Sequence, residues 1–199
     1  MIKYGKFLGL IIISLVLCMV SPGYIYLGTQ AVNIPDSGLE AAVRDALECP
    51  DGDITKEMMA GLISLNADNR GIVDLSGIEY ATGLKDLCLC NNQISDLSDL
   101  NLPVLRWLDL SNNQINNLAS LAEANLPNLE FLELGANQIS NLTGLAEASL
   151  PTLEELRLHH NQISNLSGLD EGNLPKLEYL LLTNNRINSL SGLEEWELP

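Results

Sequence analysis

The sequence predicts an α/β solenoid: stacked coils with parallel strands on a concave face, an irregular or short-helical convex side and a small helical N-terminal cap. Three observations predict it. Leu-Pro recurs at Leu102-Pro103, Leu126-Pro127, Leu150-Pro151, Leu174-Pro175 and Leu198-Pro199, each step 24 residues. Between these marks runs one frame, L-x-x-L-x-L-x-x-N-x-I-x-x-L-x-x-L, which starts at Leu84, Leu105, Leu129, Leu153 and Leu177. Its Asn falls at Asn92, Asn113, Asn137, Asn161 and Asn185, a first step of 21 and then steps of 24. Self-similarity at a fixed period of this length marks a repeat array.

The L-x-L core reads as a strand, because alternation puts both leucines on one side and the residue between them on the other. The chain then has to turn. An Asn at that corner can stay inside, since its amide both donates and accepts and so satisfies backbone groups the turn leaves unpaired. Ile139, Leu142 and Leu145 and their equivalents carry the return path inward. No coil can bury its six or so apolar residues alone, so neighbours stack and their strands pair in parallel.

A weaker first coil precedes these, with Leu62, Leu65, Ile72, Leu75 and Ile78 in frame but Arg70 at the Asn position and Ala67 for a leucine. Upstream, Pro35-Asp36-Ser37 starts a helix through Leu39, Val43, Ala46 and Leu47. Thr55 caps a second short helix through Met58 and Met59. A solenoid needs such a lid over its first coil. The helical cap, Asn69-Arg70-Gly71-Ile72 and repeats of the Leu-x-Leu-x-x-Asn-Gln-Ile-Ser-x-Leu type resemble the bacterial internalin-like leucine-rich-repeat proteins over about residues 34–199. That resemblance implies a leucine-rich-repeat horseshoe and a surface or secreted protein that binds another protein, the partner differing between members. The 24-residue period departs from the roughly 22-residue repeat of that family and implies a bulkier convex side.

The first residues have the order of an export signal: Lys3 and Lys6, an apolar run from Phe7 to Val20, then Ser21, Pro22 and Gly23. Residues 1–31 are read as a cleaved signal or a retained anchor, residues 32–61 as the cap and residues 62–199 as about six coils. Tyr24 to Leu27 extend the apolar stretch to roughly the ~20 residues a spanning helix needs, so cleavage and anchoring both stay open. Leu17 before Cys18 argues against a lipidation site. Either outcome puts the bulk of the chain outside the cytoplasm, secreted or at the cell surface. The chain stops at Leu198-Pro199, where a further strand would begin, with no C-terminal cap recognisable. The expectation is a piece of a longer surface protein, or a short protein whose last coil, around Leu180, Leu182 and Ile187, frays or self-associates.

The formal charge of −16, from 26 Asp+Glu against 10 Lys+Arg, argues against nucleic acid or an anionic membrane surface as partner. Membrane contact is expected only through the N-terminal segment. With 46% hydrophobic and 18% charged residues the chain should fold.

Outward strand positions form columns. The first reads Ser64, Asp86, Trp107, Phe131, Glu155, Tyr179; the second Asn66, Cys88, Asp109, Glu133, Arg157, Leu181; the third Asp68, Cys90, Ser111, Gly135, His159, Thr183. Exposed aromatics beside acids make protein-binding hot spots. Trp107, Asp109, Phe131, Glu133, Glu155, Arg157, His159 and Tyr179 are therefore the candidate contacts for a protein or peptide with a basic patch. The competing reading is that these side chains only cover the strands and stack on neighbours, with Arg157 pairing laterally to Glu133. Cys88 and Cys90 face the same way, which permits a metal pair without arguing for one, and His159 and His160 are expected on opposite sides of a strand. No cofactor, metal or catalytic set is expected: Asp109 and Glu133 sit on an open face, and Gly144, Gly168 and Gly192 share one turn position. A structural spacer within a longer surface protein is the remaining alternative.

Overall fold

The structure is a computed structural model that describes residues 30–169 and 174–190. The signal or anchor reading, apart from Gln30 and Ala31, falls outside these residues, as does the reading of the Leu198-Pro199 end. Six three-residue strands form one parallel sheet in chain order: β1 (Ser64–Asn66), β2 (Asp86–Cys88), β3 (Trp107–Asp109), β4 (Phe131–Glu133), β5 (Glu155–Arg157) and β6 (Tyr179–Leu181). The central leucines Leu65, Leu87, Leu108, Leu132, Leu156 and Leu180 are in register, so the three sequence columns are physical columns. Among the described residues the return side holds 3₁₀ turns at Ile78–Tyr80 and Ala119–Ala122 and a short helix at Thr143–Glu147.

One core runs through the stack. In the coil from Leu129, residues Leu129, Leu132, Leu134, Ile139, Leu142 and Leu145 all have no exposed surface. The Leu-Pro segment adds a further buried leucine per coil, Leu102, Leu126, Leu150 and Leu174. Each accepts a bond from the leucine three residues on, as Leu105 N–H does to the Leu102 carbonyl at 3.1 Å, a turn that suits Pro at its second position.

The Asn ladder joins coils as well as closing turns. Asn137 Nδ2 donates to its own coil at the carbonyls of Leu134 and Gly135 and to the preceding coil at Leu110, while Oδ1 accepts from Ile115 N–H at 3.0 Å. Asn92, Asn113, Asn161 and Asn185 repeat the pattern. The residue before each ladder Asn takes a left-handed conformation, including Ala136 and His160, both at φ 54°.

The cap consists of α1 (Ser37–Leu47) and α2 (Lys56–Ala60), N-capped by Asp36 and Thr55. The buried stripe of α1 is Leu39, Ala42 and Val43, and Ala46 is exposed. Asp36 does more than cap. Its Oδ1 accepts from Gly38 and Leu39, and its Oδ2 accepts from Val73 and Asp74 of the first coil, so one carboxylate joins cap to solenoid. Arg70, at the first coil's Asn position, sends its guanidinium out to Asp45 of α1 at 2.7 Å. Gln30 and Ala31 also belong to the cap: Ala31 pairs with Thr55, and the Gln30 carbonyl accepts from Lys56 N–H. Among the described residues no helix is long and apolar enough to cross a membrane.

Candidate protein-binding face

Trp107 and Phe131 are register partners on β3 and β4, and their rings stack with centroids 5.5 Å apart and planes 8° apart. Such a pair contributes roughly 0.5–1.5 kcal/mol beyond its buried area. The Arg157 guanidinium lies over Phe131 at 4.9 Å and is anchored to Glu155 on its own strand at 2.6 Å. Its distance to Glu133 is 3.8 Å, so the lateral pair is the weaker contact and the pair within β5 the stronger. Trp107, Phe131, Asp109, Glu155, Arg157 and His159 are half-buried, and Tyr179 is exposed. Glu155 stands between Phe131 and Tyr179 in the column, so the third aromatic lies apart from the stacked two.

Glu133 is 7% exposed, which the alternation of a three-residue strand does not reveal. The cause lies two residues on. Gly135 carries no side chain, and a Cβ there would sit 2.3 Å from His159 Cε1, so the glycine lets the imidazole lean over the Glu133 carboxylate. Gly135 N–H donates to Glu133 Oε1 at 2.7 Å. His159 Nδ1 is 3.6 Å from the same oxygen, beyond hydrogen-bond range, and is buried without a partner. Burial pushes the Glu133 carboxyl above its ordinary value, with Asp109 and Glu155 adding to the rise, against the Gly135 N–H and Arg157. Burial, then the charges of His160 and Arg157, hold the His159 imidazole low.

The expectation that His159 and His160 face opposite ways fails: their rings lie 5.4 Å apart, edge to face. β5 ends at Arg157, and the left-handed backbone at His160 removes the alternation on which that expectation rested.

At the N-terminal end of the face Cys88 and Cys90 point together, Sγ to Sγ 2.7 Å. Their Sγ atoms and a carboxylate oxygen of Asp109 all lie within 4.8 Å of one another. The sequence columns already set Cys88 beside Asp109 and Cys90 beside Asp68, which permits a metal pair there without arguing for one.

The sheet register, the Asn ladder and the buried leucine frame define the class: a leucine-rich-repeat protein. Residues 103–147 and 151–195 match the family described as Leucine Rich repeats (2 copies). Among solved structures, internalin C2 from Listeria monocytogenes is 30% identical over 81% of this chain and 89% of its own, at a TM-score of 0.40. A second Listeria monocytogenes internalin, inlF, is 23% identical over 84% of this chain and 69% of its own, at a TM-score of 0.44. The CBM51-2 and INT domains of Clostridium perfringens ZmpB share 32% identity over 45% of this chain and 20% of theirs, at a TM-score of 0.40. At these TM-scores the superpositions add nothing to the fold, which the register establishes. A search of curated proteins finds no significant match. The chain is an internalin-like member of the bacterial leucine-rich-repeat proteins.

Proposed function

We propose that the chain is a non-catalytic binding module that takes a protein or peptide on its concave face, outside the cytoplasm, with the segment that precedes Gln30 as its export signal or anchor. The leucine-rich-repeat class supports the first part, since such folds act as protein-interaction modules. The observation that carries the choice of face is the Trp107–Phe131 stack, half open to solvent and bordered by Asp86 and Asp109. Arg157 displays the recognition chemistry within the chain: a guanidinium flat on Phe131 with a carboxylate at 2.6 Å. Trp107, with Asp86 in register beside it and Asp109 two residues on, offers the same combination to a Lys or Arg of a ligand. Glu133 contributes through Arg157 and His159 rather than by direct contact, because it is buried.

The test replaces Trp107, Phe131 and Tyr179 together with Ser and compares capture of basic-patch proteins with that by the unchanged chain, the fold being checked by circular dichroism. Lost capture with an intact fold supports this reading. Capture that survives the triple change sinks it, and a chain that captures nothing in either form is a spacer.

A further inference from the structure

We propose that Cys88, Cys90 and Asp109, with Asp68 as a fourth donor, form a site for a thiophilic divalent cation of the zinc class at the N-terminal end of the concave face. The solenoid assembles it from three successive coils. Parallel register puts Cys88 directly beside Asp109. Asp68 lies one coil back, and its Oδ1 accepts from Cys90 Sγ at 3.3 Å. Both carboxylates are held in place by neighbours: Asp109 Oδ1 by the Ser111 N–H at 2.8 Å and hydroxyl at 2.6 Å, Asp68 Oδ1 by Asn91 Nδ2 at 2.7 Å. Such outer donors fix metal ligands in orientation. Both cysteines are half-buried, open enough for an ion to enter.

The donor set selects a cation over the other uses of a thiol pair: a carboxylate oxygen of Asp109 lies within 4.8 Å of both sulfurs, and Asp68 accepts from Cys90. A dication replaces the thiol protons, and the carboxylates then stabilise the metal. Two thiolates and two carboxylates suit a tetrahedral borderline-soft ion, with M–S of about 2.3 Å and hence S···S of about 3.7 Å. The sulfurs, now 2.7 Å apart, separate by about 1 Å to reach that geometry.

The experiment titrates the reduced, metal-free full chain with Cd²⁺ in the absence of oxygen and follows the ultraviolet thiolate-to-metal charge-transfer band, with Zn²⁺ as competitor. The expected result is a band that saturates at one equivalent, is reversed by Zn²⁺ and releases protons to the solution. Cys88→Ser and Cys90→Ser each abolish it, Asp109→Asn weakens binding at least about tenfold, and Cys49→Ser leaves it unchanged, all with unaltered circular dichroism. A chain without the band at one equivalent, or a band that persists in both cysteine variants, overturns the site. So does recovery of the native chain with Cys88 and Cys90 joined as a disulfide, read from intact mass and thiol titration, which would make the pair a redox element.

Discussion

Phe131 is enclosed on both faces, by the Trp107 ring 5.5 Å away on one strand and by the Arg157 guanidinium at 4.9 Å on the other side. The column that the alternation turns outward thus supports the sheet as well as facing solvent. Replacing Trp107 or Phe131 singly with Ser should cost about 1 kcal/mol each, and a double-mutant cycle should return a coupling of roughly 0.5–1.5 kcal/mol. Urea unfolding of the four proteins measures it. A coupling near zero would mean that the rings meet without stabilising each other.

Asn137 is 8% exposed and bonded across two coils. In Asn137→Ala the Ile115 N–H and the Leu110 and Leu134 carbonyls lose a partner in the interior. Asn113 still donates to Leu110 and Asn161 to Leu134, so the Ile115 N–H is the group left unsatisfied, and the expected loss is about 1–3 kcal/mol. Asn116→Ala, on the exposed return path, should be neutral. Because repeat stability is a sum over neighbours, hydrogen exchange should quicken most at the Leu105 and Leu129 coils.

Asp36 links cap and solenoid, and its charge state should show in the acid limb. Burial pushes its carboxyl up, but the N–H groups of Val73, Leu39, Asp74 and Gly38 together outweigh burial and hold it below 3.8. The folded state therefore binds its proton less readily than the unfolded chain. Stability from Asp36 is complete above 3.8 and is lost as the pH falls through the lower folded value. Asp36→Asn keeps a capping oxygen but loses the acceptor for Val73 and Asp74 N–H, so it should destabilise at neutral pH by about 1–2 kcal/mol and flatten that limb, followed by melting temperature against pH.

Glu133 should act in the opposite sense. Its carboxyl titrates above its ordinary 4.5, so the folded state holds the proton more tightly and stability falls as the pH rises through 4.5 to the folded value. His159, held below 6.5, adds stability above 6.5 that is lost as the pH drops toward its lowered value. Glu133→Gln keeps an acceptor for Gly135 N–H and removes the buried charge, with its amide NH2 taking the Oε2 position that faces Arg157. The variant should be more stable than the parent at pH 7, with the difference shrinking as the pH drops below 4.5. Chemical denaturation at the two pH values decides it; a less stable variant at pH 7 would show that the Arg157 contact outweighs burial.

The local repeat accounts for most of what is legible in the chain. One frame specifies the leucines, the Ile and the ladder Asn of every coil, and stacking turns equal positions into columns without long-range information. The six strands, the columns from Ser64 to Thr183, the caps at Asp36 and Thr55 and the candidate face were readable on those grounds. Tertiary structure decided what depends on side-chain direction between coils. It buried Glu133, because Gly135 leaves room for His159; it brought His159 and His160 together, because the strand ends at Arg157; and it gave Asp36 a second set of donors in the first coil. It also drew Cys88, Cys90 and Asp109 to one point, with Asp68 bonded to Cys90. A periodic sequence states which residues are neighbours, whereas rotamers, the missing Cβ of a glycine and backbone turned left-handed after a strand determine how those neighbours meet.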